Sequence, residues 1–392
     1  HVVPLFIYLP VHIRDLRTVV VNYQELFEEI TFASIYYTFC LALGVDTPLA
    51  KFTWQLPSSG RQNSSTLQMA ARVVVSAQHG TSSSPREKRQ NTIKIDSVAF
   101  DSGRVATSQP QLDNRPPLPP LDLASDTPYV WTLQLWTAED PVDKPSCKVS
   151  SKFTSGIVQQ QEWVEAGARW IRGGDNKTQL RKEFTVAPSL TGSLARASLF
   201  IAACQYYTVF LDGRPIGSQR LDSPWTEFYL NRSYTMHSIN TSLLGPGHHV
   251  LGVRVGQGFC TQAQHDAFDP SAERSTIVML QLHNTDGNVS QRIVSDASWT
   301  SSDGPILADS TYYGEVYDAR EEQPGWAEPN FIPPTGKLWG AVDTNFTVVA
   351  HLRAQAMQPI EVVKEIPALS VTKVRISNNQ TPCFADAAEG TP

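Results

Sequence analysis

The segment that decides the fold of this chain is Ala197–Phe259, ASLFIAACQYYTVFLDGRPIGSQRLDSPWTEFYLNRSYTMHSINTSLLGPGHHVLGVRVGQGF. It opens with the dense apolar run Leu199–Leu211, rich in aromatic and β-branched residues, which is typical of buried β-structure. Asp212-Gly213 then has the residue types that a tight hairpin turn needs, and Pro215–Gly217 is predicted to return as a short strand. With a second apolar strand predicted at Val250–Val255, the segment indicates a β-sandwich.

Composition extends this prediction to the whole chain. The 392 residues include 27 Pro and 23 Gly, and no long helical periodicity interrupts them, which favours an all-β protein with many turns. The length allows two or three domains of about 100–200 residues each. A net charge of −6 with scattered Lys and Arg gives no nucleic-acid footprint, and we expect no nucleic-acid or membrane partner.

Five short motifs in this segment occur in a fixed order that resembles the N-terminal domain of the α-L-rhamnosidases of glycoside hydrolase family 78. One such motif would be a weak signal, whereas five in order over about sixty residues are specific. The motifs are Asp212–Gly217, Leu221–Phe228, Tyr234–Ile239, Leu243–Gly245 and Gly256–Phe259.

The resemblance continues on both sides, from about Gly44 to about Lys373. Its most specific block is Tyr313–Arg320, YGEVYDAR, which is followed by Gly325-Trp326. Upstream, Phe52–Leu56 and Gln68–Ala77 are similar to strands of the family's first β-domain, although Ala71 stands where that family usually has Tyr.

The resemblance implies an all-β chain of tandem β-sandwiches, a fibronectin type III-like domain followed by a jelly-roll-like one. Trp54 and Trp131 are expected in the core of the first sandwich. The predicted divisions are an unassigned segment at 1–43, the first sandwich at 44–156, the rhamnosidase N-terminal, carbohydrate-binding-like sandwich at 157–350, and the start of a concanavalin-like domain at 351–392.

By the same resemblance, a complete relative would hydrolyse terminal, non-reducing α-L-rhamnose residues of rhamnosides with inversion of configuration. The family's two catalytic carboxylates belong to an (α/α)6 barrel, and the resemblance here covers the accessory β-domains only. The partners implied are rhamnose-containing glycosides or pectic polysaccharide. Two alternatives stay open, namely a stand-alone rhamnose-binding β-sandwich protein and an adhesion-type glycoprotein built from fibronectin-like domains.

Glu315 and Asp318 are the carboxylates to weigh for catalysis, because an inverting glycosidase needs two of them about 6.5–9.5 Å apart. On a strand, residues three apart point to opposite faces, so this pair cannot converge on one glycosidic bond. Asp318 and Arg320 would share a face, and we expect an ion pair there that holds the strand. No catalytic residue is therefore assigned.

A sugar-binding site is the better functional hypothesis, and the residues that carry it are Asp212, Arg214, Asp222, Trp225 and Glu227. A solvent-facing Trp beside carboxylates can stack on a sugar ring while the carboxylates accept its hydroxyls. Some relatives bridge sugar and protein with calcium, and the resemblance implies Asp212 and Asp222 as oxygen ligands for Ca²⁺. The competing interpretation is that Asp212-Gly213 is turn chemistry and Trp225 is core packing.

Asn-x-Ser/Thr sequons point to secretion. They stand at Asn63, Asn176, Asn231, Asn240, Asn288, Asn345 and Asn379. Thirteen asparagines would produce only about two or three sequons by chance, so we expect a secreted, extracellular glycoprotein.

Cysteines and histidines add little to the functional argument. The five cysteines show no metal-like spacing, and Cys204 inside an apolar strand is expected to be a buried, non-bonded residue. His248-His249 is not expected to bind metal, because adjacent histidines on a strand point apart. The group His265, Asp266 and Asp269 is not expected to bind metal either, since a solvated loop explains it.

Overall fold

A computed structural model describes residues 43–45, 51–53, 68–78, 95–113, 115–138, 140–145, 147–174, 177–204, 206–228, 230–256, 258, 274–310, 314–357 and 359–367. β-Strands dominate these residues, so the predicted all-β class is confirmed. Predictions on residues 1–42, on Trp54, on Cys40, Cys260 and Cys383, and on the group at 265–269 lie outside the described residues.

The first sandwich is organised around β3 and β7, which pair antiparallel along their length. Its main sheet has the order β1-β8-β7-β3-β4, with β5 also paired to β3, and a two-stranded sheet of β2 and β6 stands apart from it. The strands are β1 (Leu43–Val45), β2 (Lys51–Thr53), β3 (Gln68–Gln78), β4 (Ile95–Asp101), β5 (Val105–Ala106), β6 (Gln111–Asp113), β7 (Pro128–Thr137) and β8 (Cys147–Ser155).

The core of this sandwich forms because alternate side chains of the paired strands point to one face. Val73 and Val75 of β3 meet Trp131 of β7, and Phe52 of the smaller sheet joins the same cluster. Trp131 is 1% exposed, which confirms its predicted core position. The Phe52 and Trp131 rings lie 6.3 Å apart, so an aromatic pair links the two sheets.

The second sandwich contains the remaining elements. They are α1 (Gln161–Glu165), β9 (Gln179–Val186), α2 (Pro188–Thr191), β10 (Leu194–Ala203), β11 (Tyr207–Leu211), β12 (Arg214–Pro215), β13 (Gln219–Arg220), β14 (Asn231–Ile239), a 3₁₀ turn at Thr241–Leu243, β15 (Gly247–Val255), β16 (Thr276–Asn284), β17 (Val289–Val294), β18 (Thr300–Ser302), β19 (Ile306–Ser310), β20 (Gly314–Tyr317), a 3₁₀ turn at Ala319–Glu321, β21 (Gly340–Ala341), β22 (His351–Ala354) and β23 (Ile360–Glu361).

Two sheets face each other in this domain. One has the order β17-β16-β10-β14-β22 and the other β12-β11-β15-β9-β18-β21. The chain passes from one sheet to the other between β9 and β10, between β10 and β11, and again between β14 and β15. These crossings give the jelly-roll-like arrangement that the sequence predicted, with a core supplied by both sheets.

Strand β10 is buried on both of its faces. Leu199 and Ile201 point into the core between the two sheets, whereas Phe200 and Ala202 point the other way, against Trp163 of α1. The segment 157–170 therefore covers the outer face of this sheet. Double coverage explains the uninterrupted apolar run, because alternation of polar and apolar residues is needed only where one face meets water.

The turn at Asp212-Gly213 is the two-residue hairpin that the sequence predicted. Leu211 pairs with Arg214, and both turn residues have positive φ, 50° for Asp212 and 77° for Gly213. That combination is the type I′ turn, whose twist matches paired strands and which Asp-Gly adopts readily. The apolar run itself divides into β10 and β11, which lie in different sheets.

Residues 318–341 form a covering segment over the outer face of the second sheet. Trp326 contacts Phe210 of β11 and stacks on Trp339, with ring centroids 5.5 and 6.1 Å apart respectively. Gly252 of β15 lies beneath, where a Cβ atom would be 2.7 Å from Ala327 and 2.9 Å from the Trp326 ring. The specific YGEVYDAR block thus leads into a segment whose contacts are structural.

We expect Gly252→Ala to destabilise the second sandwich by about 1–3 kcal/mol, because the added methyl has no room beneath Trp326. Gly192→Ala is the matched control, since nothing lies within 4 Å of its Cβ position. Urea unfolding followed by Trp fluorescence measures both. Equal stability of the two variants would contradict the close packing.

Asp126 joins the two sandwiches. It lies just before β7 of the first domain and is 3% exposed. Its carboxylate accepts hydrogen bonds from Ser198 Oγ at 2.8 Å and from Arg196 of β10. His283 Nε2 of β16 lies 2.5 Å from its second carboxylate oxygen. A carboxylate held this way fixes the first sandwich against the end of the β10 sheet.

We expect Asp126→Ala to lower the free energy of unfolding by about 3–5 kcal/mol, since it removes the carboxylate shared by partly buried Arg196 and buried His283. Calorimetry should then resolve two unfolding transitions where the parent shows coupled unfolding. The exposed Asp286→Ala serves as the control. One unchanged transition in Asp126→Ala would show that the sandwiches are coupled by other contacts.

The last described strands belong to the second sandwich. β22 pairs in parallel with β14, and β23 pairs with β13. The domain boundary predicted after residue 350 cuts across this pairing, because β22 joins the five-stranded sheet and β23 forms a separate two-stranded sheet with β13. Residues 368–392, assigned by sequence to a further domain, lie outside the described residues.

Candidate functional site

The loop of residues 221–228 and 230 connects β13 to β14 at one end of the second sandwich. Its inner side is anchored by Ser223, whose hydroxyl accepts a hydrogen bond from the Ala203 amide at the end of β10. The Asp222 carbonyl accepts a bond from the Tyr207 amide at 2.8 Å. These bonds attach the loop to the end of β10 and to the start of β11, and the side chains on its other side are exposed to solvent.

Trp225 forms the exposed part of this loop. It is 55% exposed, and its ring stands edge-on to buried Phe228 with centroids 6.2 Å apart. Glu227, two residues on, is also exposed. The interpretation of Trp225 as sandwich core is therefore wrong. We call the exposed indole, together with the exposed Glu227 of the same loop, the Trp225 platform.

Asp222 points inward instead. It is 5% exposed, and its carboxylate accepts hydrogen bonds from Thr235 of β14 and from Gln355, each at 3.3 Å. Burial raises the pKa of Asp222, and the two hydrogen bonds oppose that rise only in part. A carboxylate enclosed in this way supports the loop from beneath and does not face a sugar in solution.

Tyr207 and His237 extend this buried polar cluster. The Tyr207 hydroxyl lies 3.3 Å from His237 Nε2, and burial raises the pKa of Tyr207. Burial also lowers the pKa of His237 to about 4, so the imidazole is neutral at physiological pH. The cluster of Tyr207, Asp222, Thr235, His237 and Gln355 thus sits under the loop.

Asp212 and Arg214 lie at the other end of β11. Both Asp212 oxygens are occupied, one by the Val250 amide at 2.8 Å and one by His249 Nδ1 at 2.7 Å. Arg214 is exposed just past the turn. Since Asp222 is bonded to Tyr207 and Asp212 follows Leu211, the strand rise places the two aspartates roughly 16 Å apart. The five predicted site residues are not brought together.

The predicted calcium ligands do not fit one ion. Ca²⁺ binds about 6–8 oxygens at roughly 2.3–2.6 Å, which Asp212 and Asp222 cannot supply from opposite ends of a strand. Across the described residues, no group of three or more His, Cys, Asp and Glu side chains is arranged to hold a metal. A calcium requirement for the domain stays a prediction, without this pair as its ligands.

Asp318 and Arg320 form the predicted ion pair, with Arg320 Nε 2.9 Å from Asp318 Oδ1. The expected strand geometry is wrong, however, because β20 ends at Tyr317 and Asp318 caps the following 3₁₀ turn through the Arg320 amide. The Arg320 guanidinium lowers the pKa of Asp318 to about 2. This carboxylate is therefore ionised and bonded, which is unsuited to a general acid.

Two smaller predictions have different outcomes. His248 and His249 lie on β15 and point apart as predicted, because His248 is exposed whereas His249 is buried and bonded to Asp212 and to the Gly245 carbonyl. Cys204 is buried but disulfide-bonded, and its partner lies outside the described residues. Cys147 is free.

Sequence reasoning missed most of the buried cluster. Thr235 and His237 alternate with apolar residues along β14, a pattern that could have marked an inward polar face. Gln355 comes from a segment more than one hundred residues later and reaches Asp222 only because β22 pairs with β14. No local motif predicts that contact.

Fold and geometry together define a chain of two β-sandwiches with an exposed aromatic platform at one end and carboxylates engaged in structural bonds. Two family models match it: the Rha78A-like, N-terminal immunoglobulin domain over residues 39–158 and the alpha-L-rhamnosidase N-terminal domain over residues 192–364. The two matched regions are therefore N-terminal domains of the α-L-rhamnosidases, as the sequence motifs predicted.

Relatives agree with this assignment. An alpha-L-rhamnosidase of Streptomyces avermitilis is 32% identical over 233 residues, covering 58% of this chain and 21% of the relative. One from Formosa agariphila is 25% identical over 281 residues, covering 64% and 29%. This chain thus spans about a fifth to three tenths of the length of these curated relatives.

Solved structures share the fold. The alpha-L-rhamnosidase from Dictyoglumus thermophilum superposes with a TM-score of 0.65 at 24% identity, covering 84% of this chain and 36% of that one. The Streptomyces avermitilis alpha-L-rhamnosidase complexed with L-rhamnose gives 0.67 at 18% identity, covering 87% and 47%. Within the part of the chain described here, no helix has the length and apolar character to cross a bilayer.

We expect acid to destabilise the second sandwich through His237. Its pKa is about 4 when folded and near 6.5 when unfolded, so between these values only the unfolded chain binds the proton. Stability should fall by about 2 kcal/mol from pH 7.5 to pH 5 through this residue. Asp222, whose pKa is raised in the folded protein, changes stability with pH in the opposite direction. Because parent and variant both contain Asp222, its contribution cancels in their comparison.

The test compares His237→Gln with the exposed His248→Gln by urea unfolding at both pH values. The first variant should lose less stability on acidification than the parent, and the second should behave like the parent. Identical pH dependence in all three proteins would show that His237 does not titrate in this window.

Proposed function

We propose that this chain is the accessory β-domain portion of an α-L-rhamnosidase. The observation that carries the proposal is the match of both sandwiches, in order, to the N-terminal domains of that family. Complete, the protein would hydrolyse terminal, non-reducing α-L-rhamnose residues of rhamnosides, with inversion by one acidic and one basic carboxyl group.

The bonding of the described carboxylates supports an accessory role. Asp126, Asp212 and Asp318 are each engaged by a cationic or imidazole side chain, and Asp222 is enclosed beneath its loop. These four carboxylates are therefore unsuited to act as a free acid and base at a glycosidic bond. The proposal places the chemistry in a further part of the enzyme.

Within this portion, the Trp225 platform is the surface proposed to bind a rhamnosyl unit. The apolar face of a pyranose ring can lie on the exposed indole, which Phe228 holds from below. The Glu227 carboxylate can accept hydrogen bonds from the sugar's hydroxyls. Asp222 then acts as a positioning residue through the loop backbone.

The proposed ligands are rhamnose-containing glycosides, with pectic side chains as one source, and the proposed location is extracellular. The second candidate function is a stand-alone rhamnose-binding protein, which the exposed platform also supports. The transcript beyond codon 392 separates the two. An in-frame all-helical barrel supports the enzyme, and a stop codon supports the binding protein.

Trp225→Ala should weaken L-rhamnose binding about tenfold or more, because the lost aromatic contact is worth roughly 1.5 kcal/mol. Titration calorimetry measures this, first with calcium and then with a chelator. Tyr317→Ala is the matched control, since Tyr317 is exposed to a similar degree, 47%, on another surface. Equal affinity of parent and Trp225→Ala would remove the platform from the proposal.

The parent chain prepared for calorimetry should not release p-nitrophenol from p-nitrophenyl α-L-rhamnoside above the buffer rate. Hydrolysis that persists through repurification would mean that this portion contains catalytic groups, and Glu315→Gln would then be the first variant to assay. This outcome is independent of the binding result, so the accessory role and the platform are tested separately.

A further inference from the structure

Four of the sequons lie on described residues, and their surroundings differ. Asn240, Asn288 and Asn345 are exposed, whereas Asn231 is partly buried. The other three, Asn63, Asn176 and Asn379, lie outside the described residues. An N-linked glycan is bulky and hydrophilic, so only an asparagine whose amide nitrogen opens to solvent can carry one in the folded protein.

We infer that Asn240, Asn288 and Asn345 carry N-linked glycans in the secreted protein and that Asn231 does not. This inference rests on the proposed secretion and is independent of the proposed sugar-binding platform. All four asparagines lie in the same Asn-x-Ser/Thr motif, so it is their place in the fold that distinguishes Asn231 from the other three.

Asn240 caps the 3₁₀ turn at Thr241–Leu243. Its Oδ1 accepts a hydrogen bond from the Ser242 amide at 3.0 Å, which leaves Nδ2 outside the capping contact. Glycosylation substitutes Nδ2 and retains the carbonyl oxygen, so the cap survives the modification. The sequon and the cap therefore use different atoms of the same side chain.

Asn288 and Asn345 are held in their turns by backbone atoms. The Asn288 amide donates to Asn284 Oδ1 at 3.0 Å, and its carbonyl accepts from the Asn284 amide at 3.0 Å in the β16–β17 hairpin. The Asn345 amide donates to Asp343 Oδ1 at 2.8 Å. Neither turn needs the asparagine side chain, so a glycan there disturbs no described hydrogen bond.

Asn231 is constrained on both sides. Its amide donates to the Glu227 carbonyl at 2.9 Å, its carbonyl accepts from Thr226 Oγ1 at 2.7 Å, and it lies in register with His351 of β22. Asn231 is partly buried and lies within a paired strand, unlike the three exposed turn asparagines. This lower exposure is the observation from which we infer that Asn231 carries no glycan.

The modification requires a polyprenyl-diphosphate-linked oligosaccharide as donor. The Nδ2 atom attacks the anomeric carbon, the new C–N bond forms as the bond from that carbon to the diphosphate oxygen breaks, and the polyprenyl diphosphate leaves with the electron pair. The displaced amide proton passes to a base of the transferase. No oxidant or reductant takes part.

Two of the acceptors lie away from the Trp225 platform. Ile239, next to Asn240, pairs with Ala197, and Asn284 of the Asn288 hairpin pairs with Leu194, at the start of β10. The platform loop is anchored at Ala203, at the end of the same strand. The strand rise separates these ends by roughly 20–30 Å, so glycans on Asn240 and Asn288 leave the platform open.

The experiment expresses the full chain as a secreted protein in yeast and maps glycopeptides by mass spectrometry after peptide N-glycanase treatment in heavy-oxygen water. Occupied sites appear as labelled aspartate. We expect label on most molecules at Asn240, Asn288 and Asn345, and none at Asn231. Label at Asn231, or its absence from any of the other three in a protein glycosylated elsewhere, overturns the assignment, and so does a wholly unmodified secreted chain.

Substitutions in the third sequon position give the matched variants. Ser242→Ala should remove one glycan while keeping the backbone amide that donates to Asn240 Oδ1, and Ser242→Thr should keep the glycan. Ser290→Ala and Thr347→Ala should each remove one more, whereas Ser233→Ala should change no mass beyond the substitution. Loss of a glycan in Ser233→Ala would contradict the inference, whatever the rhamnose titration shows.

Discussion

Burial of β10 on both faces is the constraint on which the second sandwich depends. Leu199 and Ile201 need the facing sheet, and Phe200 and Ala202 need the segment 157–170 that follows the first domain. From Leu199 to Ala203 the strand has only apolar side chains, and their exposure to water is unfavourable until both coverings are in place. The linker between the domains is therefore part of the second core, and Asp126 holds the first sandwich against the same sheet.

The need to cover a sheet also explains why the YGEVYDAR block leads into a segment whose contacts are structural. Residues 318–341 cover the opposite sheet, where Trp326 lies over Gly252 and a carboxylate caps the turn that begins the segment. Such positions accept few alternatives, because a larger residue at 252 or a missing cap would displace the covering segment. Specific sequence here reflects packing.

In the loop between β13 and β14, some side chains face solvent and others hold the loop from beneath. Trp225 and Glu227 face solvent, whereas Asp222 faces Thr235 and Gln355. Buried hydrogen-bonded groups hold a loop in one conformation, which lowers the entropy lost when a ligand binds. The loop is thus held in one conformation by side chains that do not face solvent.

Local chemistry was enough to predict much of the molecule. Apolar runs, the type I′ turn at Asp212-Gly213 and the core position of Trp131 follow from side-chain periodicity and backbone preference, which act over a few residues. The site was predictable only in part, since Trp225 and Glu227 share a surface while Asp212 lies at the far end of β11. The separation of the two aspartates, the inward turn of Asp222 and its contact with Gln355 were decided by strand pairing across long sequence distances, which no local pattern encodes.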